Sequence, residues 1–165
     1  MNKSLYLLSL ASLLICMSVG HATVPVAQTT PVQPAPAIPA VPDKVTRFPA
    51  SQVNEFFGKS GTLVPDTPGA HYSVMTIRRD KPGPAEWHHQ YTDVMYIVEG
   101  TATFVTGGHI IDGKTTAPDE IRGTKIEGGQ SQFISKGDVV IVPNDTPHQF
   151  TEVSQPFLYL TLKVR

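Results

Sequence analysis

Two histidines stand side by side, flanked by carboxylates, in the run Glu86-Trp87-His88-His89-Gln90-Tyr91-Thr92-Asp93. Residues two apart on a β-strand face the same side, so Glu86 and His88 can aim at one ion, and Asp93 can enter from the neighbouring strand after a turn. His89 would then face the other way. A second run, Gly137-Asp138-Val139-Val140-Ile141-Val142-Pro143-Asn144-Asp145-Thr146-Pro147-His148, carries aliphatic residues into a Pro-Asn-Asp-Thr-Pro turn. That turn delivers His148 at the start of the next strand. Imidazoles with one or two carboxylates form a donor set for a single divalent metal ion, with positions left open for water or substrate. Fe, Mn, Zn and Ni all accept such a set, and the donor types alone do not choose among them.

These residues need a β scaffold, and the sequence offers one. Runs over His71–Arg78, Val94–Val98, Thr101–Thr106, Gln132–Ser135, Asp138–Val142, His148–Val153 and Phe157–Val164 read as strands. Each is short and bounded by Gly, Pro, Asn or Asp, with no helical period between neighbours, which predicts an antiparallel sandwich or barrel. One short helix over Ser51–Phe57 is expected, capped by Ser51 and stopped by Gly58. Met95 and Ile97 share the strand parity of Asp93, and Phe150 shares that of His148. These three are the expected apolar walls beside the metal. The stretch between Gly100 and Gly137 is longer than two strands and a tight turn require. It reads as extra hairpins, either a lid bringing Glu120 and Arg122 to the barrel mouth or a decorative excursion.

The two runs together resemble the motifs of the cupin superfamily, which surround a metal at the centre of a jelly-roll barrel. The second run keeps the family's Gly137, its Pro143 and its His148, but has Asp145 where Gly is usual and Glu152 where Asn often closes the motif. In the first run Asp93 and Gly100 have the spacing of the family's Glu and Gly, so Asp stands in for Glu. Counting back from Asp93 leaves two frames. One pairs Glu86 with His88, and the other pairs Trp87 with His89. The first is preferred because both its side chains can ligate and indole cannot. The resemblance, spanning roughly Tyr72 to Val164, implies an all-β, cupin-type double-stranded β-helix. His88, His148, Asp93 and Glu86 are the metal ligands it suggests. Whether Glu86 or His89 completes the set stays open at the level of sequence. A face of two histidines and one carboxylate would resemble that of non-haem iron oxygenases.

The remaining sequence sets the context. The chain has 165 residues, 13 Lys and Arg against 14 Asp and Glu, and a formal net charge of −1. One domain is the natural size, and without a basic stripe nucleic acid is not an expected partner. Lys3, the apolar run Leu5–Val19 and the small-residue site Gly20-His21-Ala22 read as a signal peptide over residues 1–22. The chain is thus expected to be exported to the periplasm or secreted, with no membrane attachment after cleavage. An uncleaved anchor would use the same run, and a lipoprotein reading would use Cys16, although Ile15 precedes it where a small residue belongs. Cys16 is the sole cysteine, so a mature chain has no thiolate ligand and no disulfide. Residues 23–47 contain Pro25, Pro31, Pro34, Pro36, Pro39 and Pro42 and read as an extended tether, a spacer before a barrel spanning residues 48–165. A ligand for a proline-recognising module is the less economical reading of the same segment.

Two functions suit this chain. One is a metal-dependent enzyme, oxygenase- or isomerase-like, acting on a small organic molecule. The other is a non-catalytic cupin that captures a small ligand or metal. Catalytic residues are unassigned, and a homodimer is compatible with either function. The discriminating feature is a second titratable group near the metal but not bound to it.

Overall fold

The computed structural model describes residues 42–165. The expected signal peptide, 1–22, and the tether up to residue 41 lie outside the described residues. Among the described residues one helix, α1 (Ala50–Lys59), precedes thirteen strands. In chain order these are β1 (Gly61–Val64), β2 (Tyr72–Arg79), β3 (Ala85–His88), β4 (Thr92–Glu99), β5 (Thr101–Thr106), β6 (His109–Ile111), β7 (Lys114–Ala117), β8 (Glu120–Gly123), β9 (Lys125–Glu127), β10 (Gln130–Ser135), β11 (Val139–Val142), β12 (His148–Val153) and β13 (Phe157–Val164). No helix among them is long and apolar enough to cross a membrane.

The strands form a five-stranded sheet ordered β1-β2-β13-β4-β11, a six-stranded sheet ordered β10-β5-β12-β3-β8-β7, and a small pair, β6-β9. Every pairing is antiparallel. Strand alternation decides what enters the interior: on β4, Asp93, Met95 and Ile97 are buried while Tyr96 between them is exposed. Met95, Ile97, Phe157 and Tyr159 from the first sheet form one buried cluster with Ala102, Phe104, Ile134 and Phe150 from the second. The two sheets therefore face each other across a single core. Burial of each large side chain contributes about 1.5–3 kcal/mol.

Three differences from the sequence-based expectation are local. Helix α1 begins at Ala50, one residue before the expected cap Ser51, because Pro49 already has an extended conformation and its carbonyl accepts the first helical bond from Val53 at 3.1 Å. The helix runs through Gly58, and the chain reverses instead at Ser60, whose φ is 64° and whose hydroxyl accepts a bond from Arg78 N at 2.9 Å. Strand β1, too short to announce itself, is added to the edge of the first sheet. The excess between Gly100 and Gly137 is built into the barrel: β8 pairs along β3, and β7 along β8.

Candidate metal centre

Register places the candidate ligands. Strand β3 lies between β12 and β8, with His148 opposite Glu86, Glu86 opposite Arg122, and His88 opposite Glu120. Directly opposed residues have Cβ atoms roughly 4.5–5.5 Å apart, so this row is in contact by construction. On the facing sheet Asp93 is opposite Lys163.

The side chains converge accordingly. Glu86, His88 and His148 each bring one ligand atom within 4.8 Å of the others. Glu86 Oε2 is 3.6 Å from His88 Nε2, and Asp93 Oδ2 is 3.7 Å from the Nε2 atoms of both His88 and His148. Lys163 Nζ holds Asp93 from the other side, at 2.9 and 3.1 Å. His88, Asp93 and His148 are buried, and Glu86 is 14% exposed. His89 lies outside this group. Its ring stacks on Trp87 at 5.8 Å between centroids, and its Nδ1 bonds Asp145 Oδ1 at 2.8 Å on the exposed surface. Asp145 raises the pKa of His89. His71 and His109 are exposed and stand apart from the cluster.

Protonation favours a cation here. His148 Nδ1 donates to the carbonyl of Thr146 at 3.0 Å, which leaves its Nε2 lone pair facing the cluster. Burial pushes the His148 pKa down, so the ring is neutral at physiological pH. Burial pushes the Glu86 carboxyl up, but the adjacent His88 and the guanidinium charges of Arg122 and Arg79 outweigh it and bring the pKa down to about 2. Glu86 is thus an anion at any physiological pH. His88 Nε2 is buried with no hydrogen-bond partner among the described residues. An orphaned imidazole nitrogen between two carboxylates and a second imidazole is what a cation's absence would leave, since buried polar groups otherwise find partners.

The turn that delivers His148 is pinned to the first motif. Asp145 adopts φ 60°, a left-handed conformation that suits Gly and is tolerated by Asp, and this is the position where the resembled family has Gly. Its backbone N–H donates to the carbonyl of His88 at 2.8 Å, and its side chain bonds His89. A single residue therefore ties the end of β3 to the turn before β12.

Above the cluster opens a cavity of about 620 Å³, lined by residues of both sheets. The region between Gly100 and Gly137 supplies Glu120 and Arg122 to its wall. Glu120 Oε2 is 3.6 Å from His88 Nδ1, and its Oε1 accepts from Arg122 Nε at 2.8 Å. Burial raises the Glu120 pKa, but Arg122 and Thr116 lower it further, so it stays ionised. Three wall residues went unnoticed in the sequence: Arg79, Lys163 and, as a site residue, Tyr159. Arg79 Nε donates to Tyr159 Oη at 3.0 Å, and its guanidinium lies over the Phe150 ring at 5.0 Å. Burial raises the Tyr159 pKa, so the phenol keeps its proton. Tyr159 and Lys163 share one strand parity, a signal that would have placed a lysine in the interior.

No family model matches the sequence, and no curated protein matches it. Solved structures of similar shape include the DMSP lyase DddQ from Ruegeria pomeroyi DSS-3, at 18% identity and a TM-score of 0.45, over 64% of this chain and 46% of that one. They also include a cupin 2 conserved barrel domain protein from Rhodopseudomonas palustris, at 16% identity, a TM-score of 0.43, and 64% and 59% coverage. The EutQ protein of Clostridium difficile matches at 15% identity and a TM-score of 0.41, with 64% and 65% coverage. This chain thus spans less than half of the lyase and under two thirds of the other two. Two antiparallel sheets closed around one core, with Glu86 and His88 on one strand and His148 opening another, give the chain an all-β jelly-roll architecture.

Proposed function

We propose that this barrel is an exported, metal-dependent enzyme that holds one divalent ion through Glu86, His88 and His148, with Asp93 as the fourth donor, and acts on a small organic molecule. The observation that carries the reading is His88 Nε2, buried and unpartnered at the point where the other donors meet. An oxygenase- or isomerase-like reaction suits the donor set. When bound, a divalent ion there supplies Lewis-acid polarisation of a substrate oxygen.

The chain's own residues do the rest. Glu120 faces Nδ1 of His88 and orients that ring, as the Thr146 carbonyl does for His148. Lys163 fixes the Asp93 carboxylate. Tyr159 shares the cavity, stands apart from the four donors, and accepts from Arg79, which leaves its own proton free to donate. It is the second titratable group that favours an enzyme over a mere binding protein. The apolar side chains of Met95 and Phe150 exclude water from one wall.

The test is metal content of protein purified without an affinity tag, followed by turnover screening of small organic substrates with Tyr159→Phe as control. One ion per chain, and turnover that falls 100-fold or more in the variant, is expected for loss of a positioned acid or base, roughly the 10²–10⁴-fold range of such groups. A metal-free chain after reconstitution would overturn the reading. Export rests on Lys3, Leu5–Val19 and Gly20-His21-Ala22. Fractionation with N-terminal sequencing tests it, and an intact Met1 in the cytosol would refute it.

A further inference from the structure

Resting on the metal reading above, we infer that the cavity selects an organic carboxylate, gripped by Arg79 and Arg122 directly beside the ion. The two oxygens of Glu86 face different partners. Oε2 points to His88 at 3.6 Å, whereas Oε1 lies 3.3 Å from Arg122 Nη1 and 3.8 Å from Arg79 Nη2. One carboxylate thus separates the metal donors from a pair of guanidinium groups. These belong to strands of different sheets, β2 and β8, so the barrel itself brings them together.

The guanidinium groups are held but not saturated. Arg79 is anchored by its Nε on Tyr159 and packed over Phe150, and no hydrogen bond of its two Nη groups is present among the described residues. Arg122 is anchored by its Nε on Glu120. Both keep Nη donors for a forked contact, the geometry that matches a carboxylate.

Charge then decides the class of ligand. The cavity is lined by four acids, Asp66, Glu86, Asp93 and Glu120, and four bases, Arg78, Arg79, Arg122 and Lys163. Without an ion the wall is balanced. A divalent ion adds two positive charges to a wall whose carboxylates are already matched by Arg and Lys, and an uncompensated charge beside buried groups is costly. An anionic ligand restores the balance, and a neutral one does not. The cavity is also lined by Met75, Ile77, Met95 and Phe150, which suits a carbon skeleton rather than an inorganic anion. Ser73 Oγ, buried at 2% exposure in the same cavity, has no hydrogen-bond partner among the described residues and offers one further polar contact.

Calorimetric titration of the Mn-loaded protein with succinate, benzoate, their neutral amides succinamide and benzamide, and inorganic phosphate tests this without any assay of turnover. At least one carboxylate is expected to bind tenfold or more tighter than its own amide and than phosphate. Arg79→Lys and Arg122→Lys, which keep the charge but lose the fork, are expected to weaken that carboxylate about tenfold, and Arg79→Met further, since it removes the charge as well. Metal per chain and melting temperature, measured on the same samples, are expected to match wild type for the Lys variants. Equal binding of acid and amide, preference for phosphate, or carboxylate binding that survives all three substitutions would overturn the inference while leaving the metal reading intact. Failure of the wild-type protein to take up Mn would instead overturn the metal reading.

Discussion

At the scale of single residues the centre is defined by which protons are absent. His148 is kept neutral by burial, so its folded-state pKa lies below the 6.5 of a free imidazole. Between those values the unfolded chain binds a proton that the native chain refuses, and stability falls as pH drops through that window. Glu86 acts in the same direction at lower pH: its stabilisation is complete above 4.5 and is lost as pH falls toward about 2. The melting temperature of metal-free protein is therefore expected to decline as pH falls below about 6.5 and again as it falls below about 4.5. A flat profile across the first interval would show that His148 is not held neutral. Glu120 contributes through orientation alone, so Glu120→Gln is expected to weaken metal affinity about 10–100-fold without emptying the site, the usual cost of disturbing a ligand's support. Equilibrium dialysis against a competing chelator measures it. Glu86 and His88 were legible from strand parity and donor chemistry, and so was the outward turn of His89. Arg79, Lys163 and the role of Tyr159 were not, because their convergence depends on which strands become neighbours across the barrel.

At the scale of elements, the turn before β12 and the strands between β5 and β10 matter most. Asp145 holds φ 60° while bonding both His88 and His89. Asp145→Val is expected to destabilise by about 1–2 kcal/mol, because a left-handed backbone is disfavoured for any side chain that cannot bond locally and most for a β-branched one. Asp145→Gly should cost less. Denaturant titration of the two variants separates conformational strain from the lost bonds, and equal costs would show that strain is not the issue. Strands β5 and β10 pair from Thr106↔Gln130 onward, so residues 107–129 could be replaced by Asn-Gly in a two-residue hairpin. That shortened chain is expected to fold but bind metal less tightly, having lost Glu120 and Arg122. Unchanged affinity would make the region decorative. The sequence revealed extra hairpins here but not their destination, since β8 docks on β3 through cross-strand pairs that no local periodicity encodes.

At the scale of the whole molecule, the seven strands expected from alternation and turn residues all occur, three with the same bounds: β5, β12 and β13. What escaped was short and lay beside Pro and Gly, as with β1. A chain beginning at Pro42 retains both sheets and every candidate ligand, and is expected to match the longer chain in melting temperature and metal content. A loss of more than a few degrees would mean that the preceding segment packs on the barrel. We propose one ion per barrel, held on the inner face of β3. This is tested most directly by metal per chain after dialysis of wild type, His88→Ala, His148→Ala and His89→Ala, each checked for folding by circular dichroism. About one ion per chain is expected for wild type and for His89→Ala, and close to none for His88→Ala and His148→Ala, because a lost imidazole opens a site whose remaining donors cannot enclose the ion. An empty His89→Ala beside a loaded His88→Ala would contradict that placement.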